Sequence, residues 1–159
     1  MTRAAKTSDI DFIYSLYMHP EINPFLLYEE MDLQSFKPIY EELLAKGIKF
    51  IFEESGKSIG MFKLIPLTHR TAHIAYLGGL AIHPGEKGKG YGSKMLTEII
   101  EFAGSRGFLR IELSVAVINT KAISLYKKLG FIEEGILRKY TKLQKENKFL
   151  DEVLMSYLF

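Results

Sequence analysis

The chain has 159 residues, of which 47% are hydrophobic and 25% charged, with no cysteine and a formal net charge of +2. That is the composition of a soluble globular protein, and it excludes disulfides, thiolate metal sites and a cysteine nucleophile. The charge is too sparse for a nucleic-acid-binding face. No apolar run approaches the roughly 20 residues of a membrane helix, and the N-terminus lacks the apolar segment of a signal peptide. The expectation is a single domain over residues 1–159, cytoplasmic, with neither nucleic acid nor membrane as partner. Residues 1–79 carry eight Lys/Arg against ten Asp/Glu, whereas residues 80–159 carry thirteen against nine, a mildly basic half that suits a polyphosphate ligand.

Arg3–Ala5 reads as a short opening strand. Ser8 or Asp9 then caps a helix whose apolar face is Ile10, Ile13, Tyr14 and Tyr17, running up to His19-Pro20. Residues 20–31 break regularity with two prolines, and a second helix spans Leu33 to Lys46 and stops at Gly47. Ile48–Glu53 and Ser58–Ile65 are strands joined by hairpin residues, and Ala72–Ile82 is a longer strand interrupted by Gly78-Gly79. A helix with Tyr91, Met95, Ile99 and Ala103 on one face follows, then a strand at Arg110–Val117. Asn119–Leu129 is a helix capped by Asn119 or Thr120, with Gly130-Phe131 as a Schellman stop. Ile132–Leu143 and Phe149–Phe159 close the chain as a hairpin. The order β-α-α-β-β-β-α-β-α-β-β predicts an α/β (α+β) fold with a mixed sheet and helices on both faces.

The segment Leu80-Ala-Ile-His-Pro-Gly-Glu-Lys-Gly-Lys-Gly-Tyr-Gly-Ser93 joins a strand to a helix. Glycines at alternate positions turn successive backbone N–H groups into one concavity, and the following helix adds its positive end, which makes a phosphate cradle. Lys87 and Lys89 supply charge. Gly85 to Gly90 has P-loop spacing, but Tyr91-Gly92 stand where Lys-Ser/Thr are required. The third glycine also falls one residue early for a dinucleotide fingerprint. On spacing alone the loop is either a ligand site or an ordinary tight turn.

Lys87-Gly-Lys-Gly-Tyr-Gly92 resembles the Arg/Gln-x-x-Gly-x-Gly/Ala signature of the GNAT superfamily of N-acetyltransferases, with lysine in place of the usual Arg or Gln. Asn119-x-x-Ala122-x-x-Leu125-Tyr126-x-Lys128-x-Gly130-Phe131 is similar to that family's downstream motif at every named position. The match is close over residues 76–135 and looser elsewhere. The tail resembles bacterial members that acetylate free amino acids or other small amines.

The resemblance implies a mostly antiparallel, twisted sheet with a splayed central strand pair, acetyl-CoA as co-substrate, no metal, and direct attack of a neutral primary amine on the thioester. A small-molecule amine is the implied partner and a homodimer is compatible with it; protein N-termini and aminoglycosides rank behind as acceptors. By resemblance, Leu80, Ala81 and Ile82 offer backbone groups to the pantetheine arm and an oxyanion contact. Lys87, Gly88, Lys89, Gly90, Tyr91, Gly92 and Ser93 hold the pyrophosphate. Tyr126 matches the general acid that protonates the departing thiolate, although its apolar neighbours also suit a core tyrosine. Asn119 contacts pantetheine or caps its helix, and Lys128 reaches CoA or is a solvated lysine. Tyr28 and Glu29, in the segment that lines the acceptor pocket of similar enzymes, are the candidate acceptor residues. That segment equally suits a surface loop anchored by its aromatics.

The strand glutamate that some members use as general base is replaced by Tyr76, leaving Glu112, Glu134 or His73 as candidates acting through water. His69 and His73 are four apart at a loop–strand boundary, which does not make a metal site. The reading from a different class is a CoA-binding sensor or interaction module without chemistry.

Overall fold

The structure, a computed structural model, describes residues 1–159. Its elements are β1 (Thr2–Ala4), α1 (Ile10–Tyr17), α2 (Leu33–Ala45), β2 (Lys49–Glu54), β3 (Lys57–Pro66), β4 (Ile74–Ile82), α3 (Tyr91–Ser105), β5 (Arg110–Ala116), α4 (Thr120–Lys128), β6 (Ile132–Leu143) and β7 (Lys148–Leu158). The order is the expected one, with 3-10 turns added at Thr7–Asp9, Asn23–Phe25, His69–Thr71 and Pro84–Glu86. The seven strands form one sheet in the order β1-β2-β3-β4-β5-β7-β6. Pairs β1–β2, β2–β3, β5–β7 and β6–β7 are antiparallel and β4–β5 is parallel. The parallel ladder has three register pairs and ends at Tyr76–Glu112, although β4 continues to Ile82 and β5 to Ala116. No helix is long and apolar enough to cross a membrane.

The chain divides into two compact units, Met1–Leu64 with Gly79–Met95, and Ile65–Gly78 with Leu96–Phe159. In the first, Ile51, Met61 and Ala81 share a buried cluster with Ile13, Leu16, Tyr17, Phe36 and Tyr40 of α1 and α2. Residues on adjacent positions of a strand point to opposite faces. Gly60, next to Met61, accordingly lies against Met95 of α3, so helices cover both faces here. The β2–β3 hairpin turns through Ser55 and Gly56, both at positive φ (50° and 75°), the geometry that matches the twist of two antiparallel strands. Asp32 caps α2 by accepting from Ser35 N at 2.7 Å.

In the second unit Ile111, Leu113 and Val115 alternate into the interior from β5. The end of α4 is a full Schellman motif: Phe131 N donates to Tyr126 O at 3.0 Å and Gly130 N to Lys127 O at 3.1 Å, with Gly130 at φ 97°. The Phe131 ring then packs on Tyr126, with centroids 5.7 Å apart.

One expected cap is used differently. Asp9 stands at the N-cap of α1, but its side chain makes no capping bond there. Instead its carboxylate accepts from Arg3 Nη1 and Nη2 at 2.7 and 2.9 Å and from Lys6 N at 2.7 Å. A bidentate guanidinium is a stronger partner than a helix amide, and Arg3 also donates to Glu53, so Asp9 anchors β1 to the start of α1. The Arg3 bonds hold the Asp9 carboxyl below the usual aspartate range. Asp9→Asn should therefore cost about 1–3 kcal/mol at pH 7. Because the folded-state pKa is depressed, this contribution is complete above about pH 4 and disappears as pH falls through the lowered value. Urea unfolding of both proteins at pH 7 and near pH 3 checks it: the gap between them should narrow in acid.

Candidate active site

Two elements of the first unit carry the residues expected to hold the cofactor: the second half of β4 and the loop leading to α3. Within β4, Gly79 has φ +56°, a left-handed conformation in mid-strand. A Cβ there would lie 2.9 Å from Tyr17 Oη, so both space and backbone demand glycine. Of the expected Gly78-Gly79 interruption, Gly79 carries the left-handed turn. Beyond it run Leu80, Ala81 and Ile82, with Ala81 buried and its neighbours half-buried. Gly60 of β3 sets how closely β4 approaches, because a Cβ on it would meet Ala81 O at 2.7 Å and Ile82 Cδ1 at 2.8 Å.

The chain leaves β4 at His83, whose Nδ1 accepts from Gly85 N at 3.2 Å, and turns through Pro84–Glu86. Gly88 and Gly90 sit at φ +79° and +80°, with open space where a Cβ would be. What they supply is backbone geometry rather than room. Lys94 N to Gly90 O is the first helical hydrogen bond of α3, so the amides of Tyr91 to Ser93 lie in the turn where an α-helix lacks internal acceptors. Tyr91 packs its ring toward Phe52, with centroids 6.4 Å apart.

The charges of the loop are engaged within the unit. Lys87 Nζ pairs with Glu21 at 2.6 Å and Lys89 Nζ with Glu86 at 2.8 Å. Glu86 also pairs with Lys57, and the two lysines pull its carboxyl down to about 2. Both loop lysines are exposed, so these are exchangeable surface contacts rather than locked ones.

The segment expected to line the acceptor site, with Tyr28 and Glu29, is in the same unit. Asn23 Nδ2 donates to the carbonyls of Tyr17 and Tyr28 at 2.7 and 2.9 Å, holding the irregular stretch against α1. Tyr28 packs on Tyr17 and Phe36, while Glu29 is exposed. Beneath Tyr28 lie two side chains that a scan for apolar periodicity passes over. Lys49 and Lys63 face each other as a register pair of β2 and β3, and are only 2% and 6% exposed. Each alternates in phase with a buried apolar residue, Ile51 or Met61, and that phase was the readable signal.

In the second unit, Asn119 Oδ1 accepts from Ala122 N at 3.4 Å and so caps α4. Tyr126 is 7% exposed. Its hydroxyl makes no hydrogen bond within the chain. Burial of the ring, and secondarily Tyr76, push its pKa up. Lys128 is exposed. Tyr76, half-buried, shares a hydrogen bond with Ser114 at 3.0 Å, and burial raises its pKa as well. Glu112 and Glu134 both pair with Arg110, and Glu134 also accepts from Ser156. Ser156 and Arg110 hold the Glu134 carboxyl low. His73 is exposed.

The glycine loop and the start of α3 thus follow the end of β4 in a mixed, mostly antiparallel sheet. The chain belongs to the acetyltransferase (GNAT) family, whose profile matches residues 10–131. It is an N-acetyltransferase by that membership, and its relatives bear the same name. It is 32% identical over 145 residues to spermidine N(1)-acetyltransferase of Vibrio cholerae, covering 85% of this chain and 80% of that one. To the L-amino acid N-acetyltransferase AaaT of Escherichia coli it is 29% identical over 161 residues, covering 97% and 94%. Among solved structures, a Vibrio cholerae spermidine N-acetyltransferase in complex with CoA and spermine superposes with a TM-score of 0.87 at 23% identity, over 99% of this chain and 94% of that one.

Gly60→Ala should push the Ala81 carbonyl and the Met95 side chain apart, costing about 1–3 kcal/mol by overpacking. Denaturant unfolding measures this, and an unchanged midpoint would mean that β4 is not held by that contact.

Proposed function

We propose that the chain transfers the acetyl group of acetyl-CoA to the primary amine of a small molecule, a free amino acid or a comparable amine, by direct attack on the thioester. The observation that carries this reading is the backbone surface running from Leu80–Ile82 through Gly88 and Gly90 into α3. Its left-handed glycines and helix-start amides suit a pyrophosphate, and its strand end suits an extended pantetheine arm. When bound, acetyl-CoA supplies the activated acetyl group and its thiol as leaving group.

The backbone of Leu80–Ile82 orients the thioester, and an N–H there stabilises the oxyanion as the amine nitrogen bonds to the carbonyl carbon. Lys87 and Lys89, together with the backbone of Gly88, Gly90, Tyr91, Gly92 and Ser93, hold the phosphates, the lysines exchanging Glu21 and Glu86 for the stronger anion. As the carbon–sulfur bond breaks, the Tyr126 hydroxyl gives its proton to the sulfur, and the proton shed by the acylated nitrogen passes through solvent to restore the phenol. Its raised pKa keeps it protonated until then, and a thiolate released into similarly dry surroundings is raised in the same direction. Asn119 and Lys128 line the arm of the cofactor, and Tyr28 and Glu29 border the acceptor. The chain works as one functional domain, cytoplasmic, and the exposed apolar residues Ile132, Ile136 and Tyr140 on edge strand β6 favour a homodimer.

A thiol-release assay with acetyl-CoA and a panel of amines tests the proposal, turnover being the expected result. CoA binding without turnover of any amine would turn the reading toward a CoA sensor, and turnover of peptide N-termini alone would turn it toward a protein acetyltransferase. Tyr126→Phe should lower kcat by about 10²–10⁴-fold and leave CoA affinity within a few-fold. Parallel loss of both would make Tyr126 a packing residue.

A further inference from the structure

Lys49 and Lys63 are an unusual pair. Directly opposed residues of an antiparallel ladder point to the same face, so the two ammonium groups share one small region under α1. Neither makes a salt bridge. Lys49 Nζ donates to Tyr17 Oη at 3.2 Å and lies 4.7 Å from the Tyr17 ring centroid; Lys63 Nζ lies 5.3 Å from that of Tyr28. Aromatic faces and one hydroxyl compensate part of the charge, but nothing anionic is present, and two unpaired cations in a low-dielectric interior oppose each other. Burial and the neighbouring Lys63 charge both press the Lys49 pKa well below its ordinary value.

A packed core would gain from methionine or leucine at either position. A pair that opposes folding in this way is the pattern of a binding function. Its place in the fold points to which one. A Cβ on Gly79 would meet Tyr17 Oη at 2.9 Å, Lys63 Cε at 3.4 Å and Lys49 Nζ at 3.6 Å. The lysines therefore sit beside the residue immediately before Leu80–Ile82, the stretch assigned above to the thioester. An anion held there would lie within a small molecule's length of the acyl carbon. Tyr28, the expected acceptor residue, closes over Lys63.

We propose that Lys49 and Lys63 form the carboxylate-binding subsite of the acceptor, so that the substrate is an amine that also bears a carboxylate, an amino acid rather than a polyamine. This rests on the acetyltransferase reading above. An arriving carboxylate favours the charged form of both lysines and is held by them while its amine end stays free to reach the thioester, whereas an acceptor whose second end is a cation finds no such partner. A spermidine-like acceptor is disfavoured by the same charges.

The test compares initial rates with acetyl-CoA for a panel of L-amino acids, the corresponding amino-acid amides and spermidine. For the best amino acid, kcat/KM should exceed that of its amide and of spermidine at least tenfold. Lys63→Met should erase that ratio, chiefly by raising KM for the acid, and should raise Tm by about 2–6 °C because a desolvated cation is gone. Lys49→Met is the second variant, with the same expectation. An amide or spermidine used as well as the acid by the unaltered protein would overturn the proposal and leave the acetyltransferase reading standing. So would an equal loss on acid and amide in the lysine variants, which would mark a proton acceptor. If no amine turns over, the acetyltransferase reading falls instead. Calorimetric titration of the CoA-bound protein with the same acids and amides then decides the subsite: tenfold tighter binding of the acid supports it, and equal affinity overturns it.

Discussion

The parallel ladder between β4 and β5 lasts three residues, and much of the chemistry proposed for this chain follows from its ending. Backbone N–H and C=O groups are obligatory hydrogen-bonding groups, and a strand that leaves its neighbour in mid-sheet must place them elsewhere. After Tyr76 the strand β4 goes on for six residues, and within them Gly79 takes a left-handed conformation that a residue with a side chain would resist. On its other side β4 is fixed by the absence of a Cβ at Gly60. The end of β4 is thus held closely against β3, and an extended ligand that runs along it is what the proposal requires. In the proposed function that ligand is the pantetheine arm.

The same first unit then adds charge in two separate ways. At the surface, Lys87, Lys89 and Lys57 neutralise Glu21 and Glu86, contacts that cost little to exchange for phosphate. In the interior, Lys49 and Lys63 have no carboxylate at all. The contrast matters because it separates a cation that is stable where it is from one that awaits a partner. The candidate bases Glu112 and Glu134 are likewise engaged: both pair with Arg110, and Glu134 also accepts from Ser156. Ser156 and Arg110 hold the Glu134 carboxyl low, which makes it a poor proton acceptor.

What was legible in the sequence was what local chemistry decides. Gly130-Phe131 reads as a Schellman stop because the motif involves six consecutive residues and no distant ones, and the bonds to Tyr126 and Lys127 form as expected. The strand and helix order follows from hydrophobic period, and end positions shift by a residue or two, as at Tyr17 and Ala45. The illegible parts depend on residues far apart in the chain. Asp9 reads as a helix cap, but Arg3, brought to it by β1, takes the carboxylate. Lysine is rarely buried, so the shared phase of Lys49 with Ile51 and of Lys63 with Met61 is a weak signal in the sequence. Only the pairing of β2 with β3 brings the two together, and only Gly79 places them beside the strand end.

Family membership leaves the acceptor open, since relatives named for spermidine and for amino acids match this chain at similar identity. Fold and cofactor cradle cannot separate such members, because both acceptors present the same amine to the same thioester. The distinction has to lie in groups that meet the remainder of the acceptor, and there the sign of the charge decides. Glu29, the carboxylate that would greet an ammonium, lies exposed at the rim. The lysine pair is buried against Tyr17 and Tyr28, where an uncompensated charge acts more strongly than one at the surface. On the proposed subsite, a buried lysine pair outweighs an exposed carboxylate, and the acceptor it would select is one that arrives with its own negative charge.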